Sequence, residues 1–163
     1  MARASVDDDL CDMVKKYYYS PLTNGSNSIK YVLPVILNES KYIKEKYSRP
    51  IYGAEIKSKN FKSHAWIKIN AAGEVENPYH ELPPVFSKWD FEELELVMSD
   101  TEIQNGGAAL TAYSMMQFTH ISEAEREKIK SALLRYCELD TFAMVVIWEH
   151  WNDLVNNKNK KAA

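Results

Sequence analysis

The chain reads as a helix-rich α/β protein with a short central β-hairpin. Three features predict this: a Ser-x-x-Glu cap at Ser122–Glu125 that opens a long apolar-striped segment, the alternation Trp66-Ile67-Lys68-Ile69 ahead of a turn at Ala72-Gly73, and prolines that interrupt the middle of the chain. At 163 residues the chain has the size of one domain. Such a domain can bury roughly two-thirds of its unfolded surface around a single core.

Residues 1–6 read as a frayed start. From Asp7 to Tyr19, Leu10, Met13, Val14 and Tyr17 recur at helical spacing and predict a short amphipathic helix. Ser20-Pro21 and Thr23-Asn24-Gly25-Ser26 form a loop, because Pro fixes φ and Gly admits positive φ. A second helix begins near Ser26 or Ser28 and carries Ile29, Val32, Leu33, Ile36 and Leu37 on its apolar face, with Pro34 kinking or shortening it. Asn38 to Ser48 is lysine-rich with helical spacing at Tyr42, Ile43 and Tyr47; it reads as a solvated helix face bounded by Arg49-Pro50.

The stretch from Ile51 to Val85 is less regular. Trp66 to Ile69 predicts one short strand and the neighbourhood of Val75 a second, while Asn77 to Pro84 predicts an ordered loop whose prolines remove backbone donors. Asp90 to Met98 predicts a short helix with Phe91, Leu94 and Val97 or Met98 on its apolar side. Its Glu92, Glu93 and Glu95 read as a solvated face, since no His or second carboxylate motif adjoins them. Gln104-Asn105-Gly106-Gly107 reads as a plain turn before a helix over Ala108 to Phe118, and it matches neither the phosphate-loop nor the dinucleotide fingerprint. After the cap at Ser122, Ile129, Leu133 and Tyr136 form a stripe. The nearly all-apolar run Phe142 to Trp148 has to lie inside or against a large surface. Asn156 to Ala163 reads as a frayed tail, which leaves 6–155 as the ordered part of one domain.

Hydrophobic residues at 45% and charged residues at 26% exclude wholesale disorder. Twenty Lys plus Arg against 23 Asp plus Glu leave a net charge of −3, so any contact with a nucleic acid has to be local. No apolar run approaches the roughly 20 residues that span a bilayer. The acidic start at Asp7, Asp8 and Asp9 lacks the order of a signal peptide. The expected setting is cytoplasmic and away from membranes, with Cys11 and Cys137 as unbridged thiols. The four histidines have no paired ligand spacing, and no motif for an activated Ser or Cys is present.

One spacing carries chemistry. Tyr136-Cys137-Glu138-Leu139-Asp140 is a Tyr-x-x-x-Asp, and residues four apart on a helix share a face. Asp140 can hold a hard divalent cation through oxygen, and Tyr136 can orient a water toward a phosphodiester. The bare motif has a high chance frequency in a chain with ten tyrosines, and its plain alternative is a helix-start aspartate and a packed tyrosine.

The stretch from Tyr136 to Ile147 resembles the third exonuclease motif of the DEDD superfamily, in its tyrosine-bearing branch with an RNase H-like fold. Further blocks resemble a bacterial family catalogued as domain of unknown function 2779: Asp9-Leu10 with Val14 to Tyr19, Gly25 to Pro34, Asn77-Pro78-Tyr79 with Leu82 to Phe86, and Gly106 to Ala109 with Thr111-Ala112-Tyr113. Together they cover about residues 9–151. The resemblance implies a divergent DnaQ-like 3′–5′ exonuclease domain in which Tyr136 is the water-orienting tyrosine and Asp140 the last metal-binding aspartate. Asp9 would match only the structural aspartate after the second motif. The superfamily's Asp-x-Glu and its second acidic motif belong upstream of Asp9 and are not present. Asp7 and Asp9 open a polar helical segment and do not replace them.

Two divalent ions about 3.5–4 Å apart need several carboxylates. The resemblance therefore implies a partial RNase H-like fold without its N-terminal core strands, catalytically incompetent alone. Its catalytic residues are Tyr136 and Asp140, with Asp140 as metal ligand. Mg or Mn is expected for the complete domain and none stably held by this chain alone. The expected partner is an upstream polypeptide or subunit that supplies the missing carboxylates, as in a split exonuclease. The alternative is a non-catalytic module binding protein or single-stranded nucleic acid through Trp66, Trp89, tyrosines and lysines. Without its strands, the segment Phe142 to Trp151 is expected to leave an apolar face exposed.

Overall fold

The computed structural model describes residues 9–82, 106–118 and 120–161. Among the described residues, five α-helices form in chain order: α1 (Leu10–Tyr17), α2 (Ile29–Glu39), α3 (Lys41–Tyr47), α4 (Gly106–Phe118) and α5 (Glu123–Lys161). Two compact units divide the chain, Met1–Glu81 with Glu138–Ala163 and Leu82–Cys137. The expected frayed start, the Pro83-Pro84 part of the loop, the helix over Asp90 to Met98 with its acidic cluster, and the Gln104-Asn105 turn lie outside the described residues.

In the first unit, Asp9 caps α1 by accepting from the Asp12 amide at 2.8 Å. Ser40 does the same for α3, accepting from Ile43 at 3.3 Å. Pro34 sits inside α2, yet the helix runs on to Glu39. Asn38 Nδ2 donates to the Pro34 carbonyl at 2.9 Å, and Asn38 Oδ1 accepts from Val75 N, also at 2.9 Å, so that this turn of helix is tied to the loop beside it. Val32, Leu33, Ile36 and Leu37 are fully buried, as the spacing predicts. In α3, Ile43 and Tyr47 turn inward while Lys41 and Glu45 remain in water.

The central hairpin reduces to isolated bridges, and no regular strand forms among the described residues. Ile69 pairs antiparallel with Val75, and Tyr52 with His64. Asn70 N donates to Glu74 O and Glu76 N to Lys68 O, both at 2.8 Å, around a turn in which Gly73 has φ +83°. The physical reason is the failure of alternation: Trp66 and Ile67 are both buried, while Lys68 and Ile69 are both exposed.

The apolar half of α5 packs on aromatic rings. Phe142 stacks on Trp66 with centroids 4.7 Å apart, and meets Tyr47 at 4.9 Å and Tyr52 at 5.1 Å edge-on. Leu139, Ala143, Val146 and Ile147 complete this buried face. Met144 and Val145 remain 45% exposed and Trp148 59%, so the run from Phe142 onward is divided between a buried and an exposed face. The helix continues through the polar segment 156–161, which was expected to fray; the exposed Asn156 and Asn157 need no burial to propagate an existing helix.

In the second unit, α4 begins at Gly106, so Gly106 and Gly107 belong to the helix instead of preceding it. The capping box forms as expected: Glu125 N donates to Ser122 Oγ at 3.3 Å and Ser122 N to Glu125 Oε2 at 3.0 Å. Arg126 donates to the Met116 carbonyl at the end of α4. No described helix is long and apolar enough to cross a membrane.

Candidate functional site

Asp140 lies in the first unit, half-buried on α5. Its carboxylate accepts a hydrogen bond from Tyr79 Oη, 2.7 Å from Oδ1. Tyr79 is delivered by a short 3-10 turn over Pro78–Glu81. Pro78 is buried, and Asn77 shapes the turn twice: its side-chain oxygen accepts from Tyr79 N at 3.1 Å and its carbonyl from His80 N at 3.0 Å. A third member comes from the first turn of α2. Lys30 Nζ stands 5.2 Å from the centroid of the Tyr79 ring, within the range of a cation–π contact. Burial pulls the Lys30 ammonium below its ordinary pKa, and the Asp140 charge partly opposes that pull.

Two further carboxylates of the same helix are held in the same manner. Glu138 accepts from Tyr52 Oη at 3.1 Å and from Asn60 Nδ2 at 2.5 Å. Its burial disfavours ionisation, yet bonds from Ser58, Asn60 and Tyr52 prevail and hold the carboxyl below its usual pKa. Glu149 accepts from Tyr47 Oη at 3.0 Å and from Lys46 Nζ at 2.6 Å. Burial and the Glu149 charge push the Tyr47 phenol up to about 12. Each of these α5 carboxylates thus takes a tyrosine hydroxyl from a distant part of the unit. Spacing along the helix could not reveal this, because the tyrosines approach from other segments.

Tyr136 is half-buried in the second unit, in the part of α5 that precedes Glu138. Trp66, proposed as a stacking platform, is only 2% exposed and belongs to the core around Phe142, where a base cannot reach it. Trp89 lies outside the described residues. Cys11 and Cys137 are exposed and form no disulfide.

On their own, the residues described around Asp140 do not complete a divalent-ion site. The carboxylate already accepts a phenol, and Lys30 adds positive charge nearby. Glu138 stands two residues away on the helix, a spacing that turns it to a different side. Among the described residues no three His, Cys, Asp or Glu side chains gather where they could hold a metal. Comparison with family models, curated proteins and solved structures returns no match.

Proposed function

We propose that the chain is the C-terminal portion of a nuclease-like domain of the 3′–5′ exonuclease type, with RNase H-like architecture in its complete form, and that it is catalytically incompetent alone. One observation carries this reading. Three of the stretches that carry the resemblance, 25–34, 77–79 and 136–147, deliver Lys30, Tyr79 and Asp140 to a single half-buried cluster. Residues far apart in sequence that converge on one carboxylate are what a site requires. The remaining acidic ligands for Mg or Mn come, in this reading, from an upstream polypeptide or another subunit.

The test is complementation. The chain with Mg²⁺ or Mn²⁺ leaves labelled single-stranded DNA and RNA intact, and adding an upstream polypeptide that carries Asp-x-Glu starts digestion that Asp140→Asn abolishes. Digestion by the chain alone, lost in Asp140→Asn, overturns the claim of incompetence. Absence of digestion in the complemented mixture removes the nuclease reading.

A second reading, a single-strand-binding module, is favoured by one surface feature. Tyr17 and Tyr19 are 67% and 85% exposed, and Lys16 Nζ lies 5.1 Å from the Tyr17 ring centroid. Such rings can stack on bases while lysines meet phosphates. Salt-dependent binding of single strands that is lost in Tyr17→Ala/Tyr19→Ala and indifferent to Asp140→Asn would distinguish it.

A further inference from the structure

We infer that the outward face of α5 from Met144 to Val155 is a docking surface for a second copy of this chain, two such faces meeting about a two-fold axis. Met144, Trp148, Trp151 and Val155 follow one another at spacings of four, three and four residues. On a helix that spacing lines them along one seam, about 17 Å long, which is the pattern by which paired helices interlock. Val145 and Leu154 flank the seam on opposite sides. Met144 and Val145 are 45% exposed, Leu154 46%, Val155 57% and Trp148 59%. Trp151 is half-buried, with its ring 6.2 Å from that of Tyr18 in tilted contact, so one aromatic anchor of the seam is held in place before a partner arrives.

Charge and area favour a second copy as the occupant. Every exposed residue from 141 to 157 is uncharged; Glu149 and Asp153, the acidic residues in that stretch, are half-buried, and Glu149 is occupied by Lys46 and Tyr47. Earlier in the same helix, Glu123, Glu127 and Lys130 stand exposed as on an ordinary solvated face. A two-fold contact sets a surface against itself, so exposed charge would repel its own copy, and this face has none. Such depletion of charge, with Trp and Met in its place, also marks the buried centre of an interface. Taking roughly 150–250 Å² for a fully exposed side chain of these sizes, the five exposed apolar residues present on the order of 500 Å². Two copies together bury up to about 1,000 Å² from these residues alone, which reaches the threshold of a specific interface before any polar rim is added.

Sedimentation velocity of the full chain tests this. Between about 1 and 100 μM the wild-type protein is expected to pass reversibly from one chain mass to two. Trp148→Glu and, separately, Val155→Glu place like charges on the seam and should each weaken association at least about tenfold. Helical circular dichroism checks that each variant is folded, and either folded variant suffices to decide. Ile69→Glu, which changes an exposed apolar residue away from α5, leaves the dimer intact. A wild-type chain that stays monomeric at 100 μM overturns the inference, whether it remains alone, floats with phosphatidylcholine vesicles or joins an upstream polypeptide through Trp148. A dimer indifferent to the seam variants, or growth past two copies into open-ended assemblies, overturns it as well. The inference does not depend on the nuclease reading, which the complementation assay judges by itself.

Discussion

Replacing Phe142 with Ala tests whether the aromatic cluster anchors α5. Phe142 is 4% exposed, and its ring lies within 4.7, 4.9 and 5.1 Å of the Trp66, Tyr47 and Tyr52 centroids. Truncating such a side chain removes its transfer energy and leaves a cavity, together costing about 3–5 kcal/mol. The stacked Trp66 pair adds a separable part, so Phe142→Ala and Trp66→Leu should show a coupling of about 0.5–1.5 kcal/mol. Urea titration followed by far-ultraviolet circular dichroism reads both. With a slope of about 1–3 kcal/mol per molar urea, the Phe142→Ala midpoint falls by about 1 M or more. Met144, on the exposed side of the same turn, is the control and should cost less than about 1 kcal/mol when changed to Ala. A loss below about 1.5 kcal/mol at Phe142, or an equal loss at Met144, would refute the packing account.

Gly53 has φ +78°, and an added Cβ would collide with the Phe61 carbonyl, so Gly53→Ala should destabilise by about 2 kcal/mol or more. Gly73 has φ +83° but open space around it, and Gly73→Ala should lose only about 1 kcal/mol by the same titration. The His150 imidazole is 7% exposed; burial holds it below its ordinary pKa of 6.5, against the pull of the Glu39 and Asp153 charges. The unfolded chain then binds the extra proton first, so this contribution is complete above pH 6.5 and declines as the pH falls below it toward the folded-state value. The drop in melting temperature between about pH 7.5 and pH 5.5 should shrink in His150→Gln. Glu149→Gln breaks the bond from Lys46 and weakens that from Tyr47; since the paired side chains are only 26% and 18% exposed, the loss should be about 1.5–3 kcal/mol, unlike the near-zero effect of exposed pairs such as Lys41 with Glu45.

Much of the helical structure was legible because its causes are local. The Ser122–Glu125 box and the inward stripe of α2 depend on residues three or four apart. The sequence left open whether Pro34 kinks or shortens α2; the helix runs on to Glu39, and Asn38 both bonds the Pro34 carbonyl and holds the loop at Val75. The strand at Trp66 to Ile69 misled because alternation in four residues cannot show that Trp66 and Ile67 are both buried, Trp66 against the Phe142 ring of α5.

Of the candidate site, Asp140 and Tyr79 stood in the stretches that resemble the nuclease family, but nothing in their spacing linked them across 61 residues. Lys30 stood within the stretch 25–34 and was not singled out there. From the order of its residues alone, the capping box that opens α5 and the buried faces of α2 and of the apolar half of α5 follow, since those depend on neighbours along the chain. Which tyrosine meets which carboxylate, and that a lysine lies over the phenol bound to Asp140, was settled only when distant segments packed, because side chains dozens of residues apart meet only through the folded backbone.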